Sequence, residues 1–142
     1  MSLVFVYGSL KQGFPNAHVN AGAKLPGTFR TRERLPLYLL GEGHVPCIVL
    51  SPGTGHQVNG EVYEVNDEVL AVMDRLERLG EAIGYSRVSI EVEAIAADPP
   101  KLLTTFVYVK SSDQVASQLQ RVGPLVEYTS EHAARFRWQG AA

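Results

Sequence analysis

Short apolar or alternating runs, most of them bounded by Gly, Pro, Asp or Ser, occupy much of the chain, and only one segment carries a clear helical period. That pattern restricts the fold to a strand-dominated, mixed α+β arrangement. Leu3 to Tyr7 is a continuous apolar run ended by Gly8-Ser9, which predicts a short central strand buried on both faces. Leu37 to Leu40 and Val45 to Leu50, with Gly41-Glu42-Gly43 between them, predict a strand pair. In the alternating run Val58 to Val65, Val58, Gly60, Val62 and Glu64 share one face and Asn59, Glu61, Tyr63 and Val65 the other. Arg87 to Ile95 also alternates, as a half-exposed strand, and Leu103 to Lys110 is a further β-branched and aromatic strand beyond a turn at Asp98-Pro99-Pro100. The expected architecture is a small mixed, curled sheet closing toward a β-barrel, flanked by a few helices.

The clearest helix runs from Asp67 to about Arg78, with Asn66 or Asp67 as N-cap and Val69, Val72, Met73 and Leu76 at helical spacing. At about 100° per residue these apolar side chains and Leu70 span an arc about 160° wide, and Glu77 falls inside it at about 80°. Asp67, Glu68, Ala71, Asp74, Arg75 and Arg78 fall on the opposite side. One carboxyl group is thus aimed inward. Ser111-Ser112-Asp113 predicts a second helix running to about Arg121 and closed by Gly123-Pro124, and Ser130 to Arg137 a weaker third. From Leu10 to Arg34 the chain is rich in Gly, Pro and Asn, with only Gly27-Thr28-Phe29 suggesting a strand, so most of it reads as a long functional loop or lid.

At 142 residues the chain suits a single domain spanning 1–142, with no internal repeat or linker to divide it. Thirteen Lys and Arg against fifteen Asp and Glu leave a net charge of −2, which gives no footprint for a nucleic-acid backbone. Cys47 is alone, so no intramolecular disulfide forms, and His18, His44, His56 and His132 lack metal-ligand spacing; no metal and no cofactor are expected. The apolar run near Met1 has no basic leader and no segment is long and apolar enough for a membrane-spanning helix, so no membrane partner and a cytoplasmic location are expected. The sequence leaves oligomeric state open and is compatible with a monomer.

Two places could carry chemistry. In Tyr7-Gly8-Ser9-Leu10, Gly8 and Ser9 can turn the backbone so that successive N–H groups converge on a carboxylate or oxyanion; the alternative is an ordinary strand-ending turn. It is not a phosphate-binding Walker loop, because the second Gly and the Lys-Ser/Thr pair are missing. Glu77, if buried, would have a raised pKa suited to acid or base work near neutral pH; alternatively it bends out to solvent or pairs with Arg87. Ser9 has no Gly-x-Ser-x-Gly elbow around it, and Cys47, after Pro46 in an apolar run, reads as a core residue. Tyr63, Tyr85, Arg87 and Tyr108 either line a pocket or pack, and Trp138 reads as a packing anchor or lid.

Taken together, these segments resemble the gamma-glutamyl cyclotransferase superfamily. Val4-Phe5-Val6-Tyr7-Gly8-Ser9-Leu10 is similar to its opening strand and Tyr-Gly-Ser/Thr-Leu loop, and Met73-Asp74-Arg75-Leu76-Glu77 followed by Tyr85-Ser86-Arg87 to its catalytic-Glu helix and Tyr-x-Arg strand start. Lys11-Gln12-Gly13 with Pro15-Asn16, Gly60-Glu61-Val62-Tyr63-Glu64-Val65 and Phe106-Val107-Tyr108 are most like the gamma-glutamylamine cyclotransferase branch. The resemblance covers about residues 2 to 110. It implies that a γ-glutamyl amide, such as γ-glutamyl-ε-lysine left from transglutaminase cross-links, cyclises to 5-oxoproline and a free amine. It also implies Glu77 as catalytic acid/base and Tyr7, Gly8, Ser9, Leu10, Tyr85 and Tyr108 as substrate-binding residues, with leaving-group choice in the Lys11 to Arg34 loop and the C-terminal tail. Removal of a γ-glutamyl cap in a biosynthetic pathway, cleavage of glutathione or γ-glutamyl amino acids, and a non-catalytic binding module on the same fold are the alternatives.

Overall fold

The structure, a computed structural model, describes residues 1–96 and 99–136. Its strands are β1 (Ser2–Val6), β2 (Ala23–Lys24), β3 (Phe29–Thr31), β4 (Leu37–Leu40), β5 (Val45–Val49), β6 (Asn59–Val65), β7 (Ser86–Ala94), β8 (Lys101–Lys110) and β9 (Arg121–Leu125). The α-helices are α1 (Asp67–Leu76) and the single turns α2 (Ser112–Val115) and α3 (Ser130–Ala133), and a 3₁₀ turn spans Ala17–Val19. Antiparallel pairing joins β1 to β6, β6 to β3, β3 to β7 and β7 to β8, and β8 returns to β1 in parallel at Val4 and Phe106, which closes a five-stranded barrel. From β8 an arm continues through β5 and β4 to β9. The expected mixed sheet closing into a barrel is the architecture found.

Alternation along β1 explains why it sits at the centre. Phe5 enters one core cluster with Phe29, Val62, Val92 and Val107, while Val4 and Val6 enter the other with Tyr63, Val65 and Met73. Both faces are therefore buried, as the unbroken apolar run predicts. Asn66 caps α1 by accepting from the Val69 N–H at 2.8 Å, and Met73 is the helix residue most fully buried, with Val69, Leu70 and Leu76 packed beside it. Val72, expected on the apolar face, is exposed at its edge.

Three expectations need correction. The helix expected from Ser112 to about Arg121 is one turn, held by a Ser111–Gln114 capping box; Arg121 then opens β9, so Gly123-Pro124 lies inside a strand rather than after a helix. The third helix ends at Ala133. The strand expected at Gly27 to Phe29 is displaced, spanning Phe29–Thr31, and β2 precedes it within the segment read as loop. Asp98 of the expected turn, Arg137 and Trp138 lie outside the described residues.

Candidate active site

The pocket lies where β1 ends. It occupies about 410 Å³ including its open mouth, and Tyr7, Gly8, Ser9, Leu10, Glu77, Tyr85 and Tyr108 all line it together with Val45, Pro46 and Phe136. The residues named above for catalysis and for binding the glutamyl part are thus brought to one place, while no residue of the Lys11 to Arg34 loop lines it. Tyr63 and Arg87 are absent from that lining; the Tyr63 hydroxyl donates to Glu61 Oε1 at 3.0 Å.

Each wall is fixed by a hydrogen bond between elements. The Tyr7 hydroxyl donates to the Tyr108 carbonyl at 2.7 Å and accepts from the Ile48 N–H at 3.1 Å, tying the end of β1 to β8 and β5. The Tyr85 hydroxyl donates to the Pro46 carbonyl at 2.8 Å. Gly8 packs against Pro46 so closely that a Cβ there would come within 2.8 Å of the ring. A side chain at that position would push the loop off the pocket wall.

The loop after β1 turns at Gly8, where the Lys11 N–H donates back to the Gly8 carbonyl at 3.1 Å. Among the described residues, none accepts a hydrogen bond from the backbone N–H of Gly8, Ser9 or Leu10. The turn, one of the two readings posed from sequence, is the geometry found. All three residues line the pocket.

Glu77 is the C-cap of α1, with its N–H on the Met73 carbonyl at 2.9 Å and its own carbonyl accepting from the Tyr85 N–H at 2.9 Å. The second bond folds the chain back so that Tyr85 stands beside Glu77. Only 9% of Glu77 is exposed, and this burial raises its carboxyl from an ordinary 4.5 to about 8, with the positive charge of Lys110 drawing it partway back. The inward angle read from the helical period is the geometry found. Burial holds Tyr7, Tyr85 and Tyr108 well above the usual phenol range and raises the Cys47 thiol to about 12, so these groups stay neutral near pH 7. Glu77 is the lining residue whose protonation changes within reach of neutral pH.

Arg87 does not meet Glu77. Its guanidinium binds Asp74 at 2.5 Å and lies over the Phe106 ring at 4.7 Å, while the Tyr108 hydroxyl donates to the other Asp74 oxygen at 2.6 Å. Asp74, assigned from its angle to the solvent side, instead ties α1 to β7 and β8. A detectable signal existed: it borders the apolar arc and lies one turn before Glu77. Val45, Pro46 and Phe136 carry no chemical signature and were missed. Among the described residues no group of His, Cys, Asp and Glu is arranged to hold a metal, and no helix is long and apolar enough to cross a membrane.

The chain can be set against known proteins on this geometry. The family model described as gamma-glutamyl cyclotransferase, AIG2-like, matches residues 4–129. The gamma-glutamylaminecyclotransferase of Mus musculus is 34% identical over 121 residues, covering 79% of this chain and 80% of its own. That of Homo sapiens is 35% identical over 127 residues with the same coverage. A crystal structure of an AIG2-like protein from Mus musculus superposes with a TM-score of 0.79 at 31% identity, covering 98% of this chain and 95% of the other. The matched span holds the opening strand, the one long helix and nearly all of the pocket between them, and this chain belongs to the gamma-glutamyl cyclotransferase, AIG2-like family.

Proposed function

We propose that the protein is a gamma-glutamylamine cyclotransferase acting on a small γ-glutamyl amide in the cytoplasm. The free α-amine of the substrate attacks its own γ-amide carbonyl, the C–N bond to the leaving amine breaks, and 5-oxoproline departs in a lyase-type cyclisation. Because nucleophile and electrophile belong to one molecule, holding the chain folded is worth a large effective molarity, on the order of 10⁵ to 10⁸ M in well-oriented cases. Glu77 takes a proton from the α-ammonium and hands it to the leaving nitrogen, then takes the second proton that the attacking nitrogen sheds on becoming the lactam N–H. That proton leaves with the released amine as its ammonium, so no net proton is consumed. The N–H groups of Gly8, Ser9 and Leu10 hold a carboxylate or developing oxyanion, and Tyr7, Tyr85 and Tyr108 shape the space around the glutamyl chain.

One observation carries this reading: a buried carboxyl group, raised to about 8, shares a pocket with a loop whose three successive backbone N–H groups have no acceptor among the described residues. A non-catalytic binding module has no need of a carboxyl group at that pKa. The test is mass-spectrometric detection of 5-oxoproline from γ-glutamyl-ε-lysine, other γ-glutamyl amines, γ-glutamyl α-amino acids and glutathione. Product from the amines, lost by about 10² to 10⁴ in Glu77→Gln, is the expected result. A folded wild type that releases none from any of them contradicts the proposal, and preference for glutathione moves it to another branch.

A further inference from the structure

We infer that Asn16 and Asn20 are positioning residues that turn the Gly8 to Leu10 loop into a surface of hydrogen-bond donors only, with the Ser9 hydroxyl as a fourth donor beside the three backbone N–H groups. The inference rests on the functional reading above and deepens it. The Gly8 carbonyl accepts from the Lys11 N–H at 3.1 Å, the Ser9 carbonyl from the Asn16 N–H at 2.8 Å, and the Leu10 carbonyl from Asn20 Nδ2 at 3.2 Å. The Asn20 amide is held in that orientation by the Gly22 N–H, which donates to its Oδ1 at 3.1 Å. Every carbonyl of the loop is occupied from outside the pocket.

The Ser9 hydroxyl is treated the same way. Its oxygen accepts from Asn16 Nδ2 at 2.9 Å, so its single proton is left to point elsewhere, and Ser9 lines the pocket. One asparagine therefore fixes both the backbone and the side chain of Ser9. A loop with its acceptors occupied and its donors unspent favours an anion, and a hydrogen bond to a charged group is stronger than one between neutral partners. The Glu77 carboxyl, which lines the same pocket, then meets the substrate nitrogen, which keeps the two ends of an amino-acid-like ligand from exchanging places.

The test reverses one donor. In Asn16→Asp the side chain keeps its shape but can only accept, and it draws the Ser9 proton out of the pocket. Turnover (kcat/KM) should fall about tenfold to a hundredfold, as in Ser9→Ala. The double variant Asn16→Asp/Ser9→Ala should lose less than the two single losses multiplied, because no hydroxyl remains to redirect and only the added charge of the aspartate still acts. Asn16→Ala, which leaves the proton free to turn either way, should fall between wild type and Asn16→Asp and serves if the aspartate variant does not fold. A residue acting only on stability would give losses that multiply in the double variant and follow the melting temperature. Wild-type turnover in folded Asn16→Asp or Asn16→Ala, or losses that multiply, overturns the inference. If wild type releases no 5-oxoproline, the functional reading fails on its own. The same cycle read on the affinity for 5-oxoproline, a carboxylate probe, then decides the present inference by the same criteria.

Discussion

A carboxyl group at the C-terminal end of a helix is opposed twice when it ionises, by burial and by the negative end of the helix dipole. Glu77 occupies that position, and Lys110 is the cation that draws its pKa down. The Lys110 ammonium donates to the Ile83 carbonyl at 3.0 Å and lies over the Tyr85 ring at 4.8 Å, on the segment that leads from Glu77 into β7. Lys110→Met should therefore move the acid limb of the pH–rate profile to higher pH, and a limb that stays in place would remove Lys110 from the electrostatics of the site. Stability must respond as well. Between pH 4.5 and about 8 the folded carboxyl keeps a proton that the unfolded chain has lost, so raising the pH through this window destabilises the fold, by at most about 1.4 kcal/mol per pH unit. Glu77→Gln lacks this penalty, and its melting temperature should gain on wild type from pH 5 to pH 8; parallel curves would contradict the raised pKa. The inward angle of Glu77 was legible because a helical period fixes direction. The role of Asp74 was not, since its partners Arg87 and Tyr108 come from other strands.

At the level of elements, the return from α1 into β7 sets the site. Arg78 takes a positive φ of 53°, and the chain then crosses its own path so closely that a Cβ on Gly84 would lie 1.8 Å from the Arg78 carbonyl oxygen. Glycine is required there because backbone, not a movable side chain, fills the space. Gly84→Ala should lower stability by about 2 kcal/mol or more and cut turnover by displacing Tyr85 from beside Glu77, measured by thermal denaturation alongside kcat. Unchanged values of both would show that the crossing is looser than described. The strands legible in the sequence were those with a continuous apolar run, as in β1, β4 and β5, or apolar alternation, as in β6 and β7. β9 was not, because Arg121–Leu125 holds a Gly-Pro pair and mostly exposed residues, and it forms only as a partner for β4. β2 is two exposed residues laid on β6, with no pattern to read. The capping signal at Ser111 was real, and Thr129 caps the third helix in the same way, but a cap starts a helix and cannot set its length.

Across the whole molecule, the barrel and the arm share one interior: Leu37 and Leu39 of β4 and Ile48 of β5 enter the same cluster as Phe5, Val62 and Val107 of the ring. Barrel and arm should then unfold together. Leu37→Ala, at a fully buried position on the arm, should lower stability by about 2 to 5 kcal/mol while near- and far-ultraviolet dichroism still report a single transition. Two separate transitions would contradict a shared core. Closure of the ring between β1 and β8 was the least legible feature in detail, since a parallel contact between Val4 and Phe106 leaves no local mark, although the number of strands already pointed toward a barrel. Closure also brings the loop after β1 and the carboxyl at the end of α1 to one pocket, and the central claim is that this pair performs the cyclisation. The most direct test is the pH dependence of 5-oxoproline release from γ-glutamyl-ε-lysine by wild type and by Glu77→Gln. The account predicts a rate for wild type that rises toward an apparent pKa of about 8, and no such rise in a nearly silent variant. Wild-type turnover in folded Glu77→Gln would contradict it.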